Sequence, residues 1–449
     1  MASIFLFITL FICIKIIFCK NPTNRMYWYI GSLLCLNDHV EVYGLINASM
    51  IIEVSAILSI AREGKLRIYS KMFPLIVPLI LLFFSHLMIG IMDIRLPISQ
   101  GVIRGITSFV SSYLMLYTGY LLSFNVQFKD LQKMLILFFC IIGIYTIGEF
   151  VTGSNPYYDM VETMYGKENN IWTLAGGLGS ERGQRCMGTQ SNPIYYGLLL
   201  ATIGLFILAN RYLKGKSKYF LLMIFAVSLI ATKSRTPMVT FVLMFIIYLW
   251  TTVSIGKTIQ VLFAATIAVV TLSYFIPIFD TLLSSLFEFA STGESNLEGS
   301  SSELRMEQLA TSYLYFLNNP IWGNGYFYFS ENIFSEKTAM FGGLAGMEGY
   351  IFELLIEQGV VQMFFVIVFW TRCFIRFFQF RKRERQIAYM GISLCTGFLF
   401  FIISTGANGA WLYAMPFIGI LMNKCQITNL NTHKNVSKKD KTRPQVLFA

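Results

Sequence analysis

The chain has 449 residues, of which 55% are hydrophobic and 13% are charged, and its mean hydropathy is +0.60. This composition argues against a water-soluble globular domain and is typical of a protein built from membrane-spanning helices. The formal net charge of +11 does not indicate a nucleic-acid partner. Lys and Arg cluster in loops between apolar segments, where they orient a membrane protein and contact anionic lipids.

Apolar segments recur from one end of the chain to the other, and a helix needs roughly 20 such residues to cross a bilayer. The first segment, Ile4–Phe18, has no small-residue cleavage site after it, so we expect a transmembrane helix and not a signal peptide. The apolar segment 27–36 is too short to cross the bilayer alone. It forms either a re-entrant piece or part of a thirteenth helix, which would place the N-terminus on the opposite side of the membrane. The twelve candidate spans are Ser3–Cys19, Val42–Ala61, Phe73–Met92, Gly105–Ser123, Leu135–Val151, Pro193–Ala209, Tyr219–Thr232, Pro237–Thr252, Thr258–Ile278, Tyr350–Trp370, Gln386–Ile403 and Gly409–Met422.

One set of loops between these spans is strongly basic and alternates correctly with them, so its members share one side of the membrane. By the positive-inside rule this side is the cytoplasm. We therefore expect an all-α polytopic membrane protein with about twelve transmembrane helices. The basic residues of these loops are Arg62, Lys65, Arg67, Lys71, Arg211, Lys214, Lys216, Lys218, Arg372, Arg376, Arg381, Lys382, Arg383, Arg385, Lys438, Lys439, Lys441 and Arg443.

Two long polar stretches fall on the other side, which is the periplasm or the cell exterior. Residues 1–278 form the N-terminal membrane helices and include the first stretch, 152–192. Residues 279–347 form a large acidic loop between helices 9 and 10, whose pattern becomes helical from Glu303. Residues 348–423 form the C-terminal membrane helices and 424–449 a basic cytoplasmic tail. A loop as long as 279–347 usually has a function.

The cysteines and histidines do not indicate a metal site. Seven of the eight cysteines lie in or beside apolar segments, which leaves Cys186 alone in a polar loop. The three histidines are far apart and are not spaced with Cys or carboxylate side chains as metal ligands are. We predict no disulfide framework, no metal and no cofactor.

Two arginine motifs lie on the predicted outer side. Arg185 belongs to a glycine-rich turn that runs into a membrane helix, and arginine forks suit phosphate oxygens. Arg235 lies in the break Lys233–Pro237, against the positive-inside trend, where a charge tends to line a pathway. The alternatives are that Arg185 is an interface anchor and that Arg235 extends to lipid headgroups.

Two further candidates flank the large loop. Arg305 begins its helical stretch, although local pairing with a neighbouring glutamate would explain it without function. Glu348 lies where the loop re-enters the membrane, although a carboxylate in the first turn of a helix is also favoured by the macrodipole. Glu353 and Glu357 follow within the apolar run as i,i+4 neighbours, and burial should raise their pKa values if no cation pairs with them.

Taken in order, these motifs resemble the O-antigen polymerase and O-antigen ligase superfamily. In such proteins an Arg, a Gly and Asn-Pro open a mid-chain helix, and a Thr-x-Ser-Arg turn follows. A large outer loop with an Arg, a helix, Pro and Gly-x-Gly comes next, and a His or Glu precedes a Leu-rich helix with Glu-x-Gly. The matching residues are Arg185, Gly188, Asn192, Pro193, Thr232, Ser234, Arg235, Arg305, Pro320, Gly323, Gly325, Glu348, Leu354, Leu355, Glu357 and Gly359.

The resemblance implies a glycosyltransferase that polymerises undecaprenyl-diphosphate-linked repeat units at the outer face of the inner membrane, for O-antigen or a related polysaccharide. Arg185, Arg235 and Arg305 would bind the diphosphate, Arg305 would also take part in catalysis, and Glu348 would be the base that accepts the proton of the attacking sugar hydroxyl. The implied partners are the lipid-linked glycan donor and acceptor, membrane lipids and a chain-length regulator protein.

Three alternatives stay open. The first is an O-antigen ligase, although the ligases usually resemble this pattern with a His at the position of Glu348. The second, from another class, is a flippase for lipid-linked oligosaccharide; the one-sided acidic loop and the lack of two matching halves with interrupted helices argue against it. The third is a non-catalytic membrane scaffold, which predicts that Glu348 and the arginines tolerate substitution.

Overall fold

The computed structural model describes residues 2–36, 41–43, 46–165, 185–190, 192–254, 256, 258–260, 302–328, 349–406 and 409–427. This part of the chain is helical apart from one short antiparallel pair of strands, β1 (Glu41–Tyr43) and β2 (Ile46–Asn47). The helices are α1 (Ala2–Phe18), α2 (Pro22–Cys35), α3 (Ala48–Arg62), α4 (Leu66–Met72), α5 (Ile76–Met92), α6 (Ile98–Phe109), α7 (Met115–Leu122), α8 (Phe128–Thr152), α9 (Pro156–Tyr165), α10 (Pro193–Leu208), α11 (Lys216–Ala231), α12 (Arg235–Thr252), α13 (Ser302–Asn318), α14 (Tyr350–Phe380), α15 (Arg385–Thr405) and α16 (415–427).

Three short turns of other helix types join or interrupt these elements. A π-helical turn at Val110–Leu114 connects α6 with α7, and a second one at Leu354–Gln358 lies inside α14. A 3-10 turn at Ala410–Tyr413 precedes α16. Turns of the π type are frequent at functional sites, and the second one falls within a motif that the sequence analysis singled out.

Four of the described helices are both long and apolar enough to cross a membrane: α8, α12, α14 and α15. The pair α4 and α5 satisfies the same criteria together but is bent by 102°, which makes five candidates in this part of the chain. The expected multi-pass helical membrane protein is therefore confirmed. The count of about twelve spans stays a prediction, and most of the candidate span Thr258–Ile278 lies outside the described residues.

Small residues allow close packing between neighbouring helices. A Cβ atom on Gly90 of α5 would collide with the carbonyl oxygen of Gly101 in α6, and the reverse also holds. A Cβ atom on Gly419 of α16 would collide with the carbonyl oxygen of Leu116 in α7. Such contacts suit helices in lipid, where the tails are as apolar as the side chains and association depends on close packing.

The basic loops meet at one end of the helix bundle, which we call the basic end (residues 19–22, 62–66, 123–129, 209–218 and 381–386). Arg62 donates to the carbonyl of Ile17 at 2.9 Å, and Arg385 donates to the carbonyl of Thr251 at 2.6 Å. Lys129 lies over the ring of Tyr212, 5.0 Å from its centroid. These contacts bring loops that are distant in sequence to the same end of the bundle. The basic charge of these loops and their alternation with the candidate spans predict this arrangement.

Helix α2 runs from the basic end to the opposite end of the bundle. Arg25, in its first turn, forms an ion pair with Glu63 just after α3. At its other end the carbonyl of Leu34 accepts hydrogen bonds from Thr189 Oγ1 at 2.7 Å and Gln190 Nε2 at 2.9 Å. This geometry supports the thirteenth-helix alternative over the re-entrant one. Arg62, the last residue of α3, bonds to the carbonyl of Ile17 near the end of α1, so both helices end at the basic end. Helix α1 therefore begins at the opposite end.

Candidate active site

The two arginine motifs of the predicted outer side meet at the opposite end of the bundle. Arg185 donates from Nη2 to Ser234 Oγ at 2.6 Å and from Nε to the carbonyl of Thr232 at 3.3 Å. The backbone N–H of Cys186 donates to the carbonyl of Ala231 at 3.0 Å. The segment 185–190, which we call the arginine turn, therefore lies along the connection between α11 and α12. Arg185 and Ser234 are 49 positions apart in sequence.

This connection concentrates positive charge at a helix N-terminus. Ser234 is the N-cap residue of α12, and Arg235 is the first helical residue. Lys233 adopts a left-handed conformation with φ +49°, which is strained for a residue with a side chain. Cations at a helix N-terminus oppose the macrodipole. Arg185, Lys233 and Arg235 are half-buried there, and the backbone N–H groups of a helix N-terminus suit a bound anion.

A buried carboxylate, Glu149 near the end of α8, holds the arginine turn in place. Its Oε1 accepts from the backbone N–H of Met187 at 3.0 Å and from Asn155 Nδ2 at 2.9 Å, and its Oε2 accepts from the N–H of Gly188 at 2.8 Å. Burial and the nearby Glu149 carboxylate raise the pKa of the Cys186 thiol to about 12. Glu149 is not among the residues predicted from the sequence, although it is the single carboxylate in the apolar part of α8, and such a residue is often functional.

The arginine turn is also tied to the start of α14. Tyr413 donates from its hydroxyl to Gln190 Oε1 at 2.6 Å. Two residues before it, Trp411 packs edge-on against Tyr350, with 5.3 Å between ring centroids. Tyr350 is the first residue of α14 and follows Glu348 by two positions. The 3-10 turn at Ala410–Tyr413 therefore links the arginine turn to the point where the chain emerges from the large loop.

The packing of α12 against α15 brings Arg235 to the same level as the start of α14. The two helices are antiparallel: Arg385 bonds to Thr251 at the basic end, and a Cβ on Gly397 would lie 3.4 Å from Thr240 Cγ2. This register places Arg235 beside the last turn of α15. In that turn the carbonyl oxygen of Ile403 lies 3.0 Å from where a Cβ on Gly349 would be.

The third and fourth motifs of the sequence analysis also pack against each other. The N–H of Asn324 donates to the carbonyl of Ile356 at 2.9 Å, and the N–H of Gly325 donates to the carbonyl of Glu357 at 3.0 Å. A Cβ on Gly323 would collide with the same carbonyl of Glu357. The glycines of these two motifs therefore allow two backbones to approach closely, and this local role accounts for them without any contact to a substrate.

Two arginines that the sequence analysis did not select join this second contact. Arg95 pairs with the carboxylate of Asp93 at 2.7 Å and donates to the carbonyl of Tyr326 at 3.1 Å. Arg104 donates to the same carbonyl at 3.2 Å, and its guanidinium lies 5.3 Å from the centroid of the Phe327 ring. The signal in the sequence was their place at 93–104, between two candidate spans and on the side otherwise poor in cations.

Several predicted features lie outside the described residues. Glu348 is one of them, together with residues 166–184, most of the 279–347 loop and residues 428–449. Arg305 lies in the first turn of α13, and its side chain belongs to the part that is not described. Among the described residues, no three His, Cys, Asp or Glu side chains are grouped as metal ligands would be; the prediction that the protein has no metal is not tested by this.

A family model described as O-antigen ligase matches residues 220–367, about a third of the chain. The matched part begins in α11, ends in α14 and includes Arg235, Arg305 and Glu348, whereas Arg185 precedes it. The match supports the O-antigen polymerase and ligase superfamily of membrane enzymes and does not distinguish a polymerase from a ligase. A search of curated proteins found no significant match to the chain.

Proposed function

We propose that this protein is a glycosyltransferase that polymerises undecaprenyl-diphosphate-linked oligosaccharide repeat units. The observation that carries the proposal is the hydrogen bond between Arg185 and Ser234, which joins two arginine motifs at the N-terminus of α12. Backbone N–H groups of a helix N-terminus and arginine forks are both good ligands for phosphate oxygens. This position therefore suits the diphosphate of a lipid-linked donor.

In the proposed reaction a sugar hydroxyl of the acceptor attacks the anomeric carbon of the donor sugar. A new glycosidic bond forms, the bond between that carbon and the diphosphate oxygen breaks, and undecaprenyl diphosphate leaves with the bonding electron pair. Arg185 and Arg235 would stabilise the negative charge that develops on the leaving group, at roughly 3 kcal/mol for a well-placed donor.

Glu348 is the proposed base for this reaction and would accept the proton of the attacking hydroxyl. Such help contributes about 10²- to 10⁴-fold in rate. The support for Glu348 is its place in the chain, two residues before Tyr350. Tyr350 packs against Trp411, and Tyr413 in the same 3-10 turn donates a hydrogen bond to Gln190. Arg305 is the proposed third ligand of the diphosphate, and this role rests on the family resemblance alone.

The proposed location of the reaction is the periplasmic or extracellular face of the inner membrane. The arginine turn lies at the end of the bundle opposite the basic end, and the basic end faces the cytoplasm by the positive-inside rule. Lipid-linked repeat units that have already crossed the membrane would therefore reach the site, both as donor and as acceptor. A chain-length regulator protein is the further proposed partner.

An O-antigen ligase is the second candidate function, because the matching family model carries that description. A ligase transfers finished polymer to a lipid core, so the acceptor differs and the donor diphosphate is the same. Glu348 in place of the His usual in ligases favours the polymerase. No observation on the described residues favours a flippase.

The surface-glycan ladder of a deletion strain distinguishes these functions. Loss of a polymerase leaves single repeat units attached to the core, loss of a ligase leaves bare core, and loss of a flippase leaves bare core with the repeat units retained on the cytoplasmic side. We expect complementation with Arg185→Ala, Arg235→Ala or Glu348→Gln to yield only single units. Arg211→Ala, which changes an exposed arginine of the basic end, is the matched control and should restore the full ladder. Full ladders from all three site variants, at normal membrane levels, would refute the site.

A further inference from the structure

A small cavity lies at the basic end, remote from the arginine turn. Its volume is about 40 Å³, several times the space that one water molecule requires. Three cations and one carboxylate line it, together with apolar residues of α2, α3 and α7. The polar lining consists of Lys20, Arg25, Glu63, Lys65, Tyr69 and Asn125.

Arg25 is the buried part of this lining. Its side chain is 4% exposed, and it forms an ion pair with Glu63 and donates from Nη2 to the carbonyl of Cys19 at 2.8 Å. Its buried Nε has no hydrogen-bond partner among the described residues. A buried N–H of a charged group that lacks an acceptor is destabilising, so an oxygen acceptor that reached this Nε would be stabilising.

The balance of charge selects an anion. Glu63 neutralises one of the three cations, and its contact with Lys65 at 2.7 Å holds that ammonium group at the cavity. Lys20 lies at the capped start of α2, whose first backbone N–H groups are bonded by Asn21. Positive charge therefore remains after every ion pair within the cavity is counted.

The orientation of α4 places the cavity at the level of lipid headgroups. Lys65 precedes α4 and Tyr69 lies within it, and the helix is bent by 102° from α5. If α5 crosses the membrane, α4 lies nearly in the plane of its surface. It has no buried residue, and Ile68 is 59% exposed, as expected for a helix at a membrane interface.

From these observations we infer that the cavity binds the phosphate group of an anionic phospholipid in the leaflet at the basic end. The phosphate oxygens accept hydrogen bonds from the ammonium groups of Lys20 and Lys65, and the buried guanidinium of Arg25 adds its positive charge to the cavity. The acyl chains extend along the outside of α1 beside Phe18, which is 60% exposed. This site does not depend on the proposed enzymatic function.

Lipid-dependent thermal stability of the full-length protein in detergent tests the inference. Short-chain phosphatidylglycerol, phosphatidylcholine and inorganic phosphate are titrated separately, and the melting temperature is followed by tryptophan fluorescence. We expect phosphatidylglycerol to stabilise the wild type with saturation, and the other two to have little effect. The double variant Lys20→Gln/Lys65→Gln should bind phosphatidylglycerol roughly tenfold more weakly or worse, since each lysine near a headgroup contributes to binding.

The matched control is Lys214→Gln/Lys216→Gln, which removes the same charge from exposed positions of the basic end, outside the cavity. It should bind phosphatidylglycerol as the wild type does. Equal losses in the two double variants would attribute binding to general surface charge and overturn the inference. Equal stabilisation by inorganic phosphate would overturn the lipid assignment. If the first double variant does not fold, Lys20→Gln alone, at an exposed position, answers the same question.

Discussion

Glu149 positions the arginine turn without being one of the proposed ligands of the diphosphate. Its carboxylate has three hydrogen-bond donors around it, two of them backbone N–H groups of the arginine turn. A glutamine can offer only one oxygen, and its amide group would face one of these donors. Since Arg185 lies two residues before Met187 in this turn, a change at Glu149 should reach the arginine through the backbone.

We expect Glu149→Gln to lower the melting temperature and to reduce polymer formation about tenfold or more, because a buried unsatisfied donor costs about 1–3 kcal/mol. The measurements are thermal unfolding in detergent and the surface-glycan ladder. Asp130→Asn, at the other carboxylate of α8, is the control and should change neither. Wild-type values for Glu149→Gln in both assays would show that the hydrogen bonds from Glu149 to the arginine turn are dispensable.

A second residue-scale prediction concerns Glu63 at the basic end. Burial alone would raise its pKa, but hydrogen bonds from Arg25 and Lys65 outweigh burial, and the pKa of this carboxyl lies below its ordinary value. A group whose pKa is lowered by folding stabilises the folded state above its unfolded pKa, about 4.3 for Glu, and loses this contribution as the pH falls through the folded value.

Wild-type protein should therefore lose more stability between pH 7 and pH 4 than Glu63→Gln, which has no charge to lose. At pH 7 the variant should be the less stable of the two, since Arg25 stays buried without its carboxylate. Melting temperatures of both proteins across this pH range provide the measurement. Parallel pH profiles for the two proteins would contradict the lowered pKa of the Glu63 carboxyl.

At the scale of elements, α14 and the segment after α13 are joined by contacts between backbones. Gly359 lies in the left-handed region with φ +67°. A Cβ there would be 2.6 Å from the amide nitrogen of Gly323 and from the carbonyl oxygen of Ile321. Neither of these atoms can move as a side chain does, so the glycine is required by both conformation and space.

Gly359→Ala should destabilise the protein by about 1–3 kcal/mol through overpacking and abolish polymer formation at otherwise normal membrane insertion. Gly148→Ala is the matched control, because a Cβ at Gly148 would have open space around it within α8; it should be neutral or slightly stabilising. Thermal unfolding and the glycan ladder are the readouts. An unchanged melting temperature for Gly359→Ala would refute the close contact.

At the scale of the whole molecule, the charges of the first 25 residues agree with the path of α2. In the twelve-span scheme Lys20 and Arg25 lie on the outer side, against the positive-inside trend. In the structure they lie at the basic end with Arg62 and Lys65. The path of α2 between the two ends of the bundle therefore resolves a conflict within the scheme that hydropathy alone produced.

We expect the N-terminus to lie on the periplasmic or extracellular side and the C-terminal tail in the cytoplasm. Reporter fusions test this: an N-terminal tag should be accessible to an impermeant protease in intact spheroplasts, and a C-terminal tag only after lysis. An N-terminal tag that the protease does not cleave in intact spheroplasts would instead favour the alternative in which α2 is a re-entrant segment. The same assay at residues 279–347 tests the side on which the proposed reaction takes place.

The sequence by itself determined the membrane class, the side on which each basic loop lies relative to the others, and the order of motifs that resembles the O-antigen polymerase and ligase superfamily. Hydropathy and loop charge are sums over neighbouring residues, so they can be read along the chain. The conflict over residues 27–36 arose because Arg25 makes the start of α2 polar, while its neutralising partner Glu63 is 38 positions away.

Only the tertiary structure decided which polar residues meet. Glu149 contacts the arginine turn across 39 positions, and Arg95 reaches Tyr326 across 231. Neither pair has a spacing that any local periodicity would reveal, because the packing of helices against one another sets it. Arg185 and Arg235 were both predicted from the sequence for their chemistry. Their proximity depends on how α10, α11 and α12 pack against one another, which the sequence does not show.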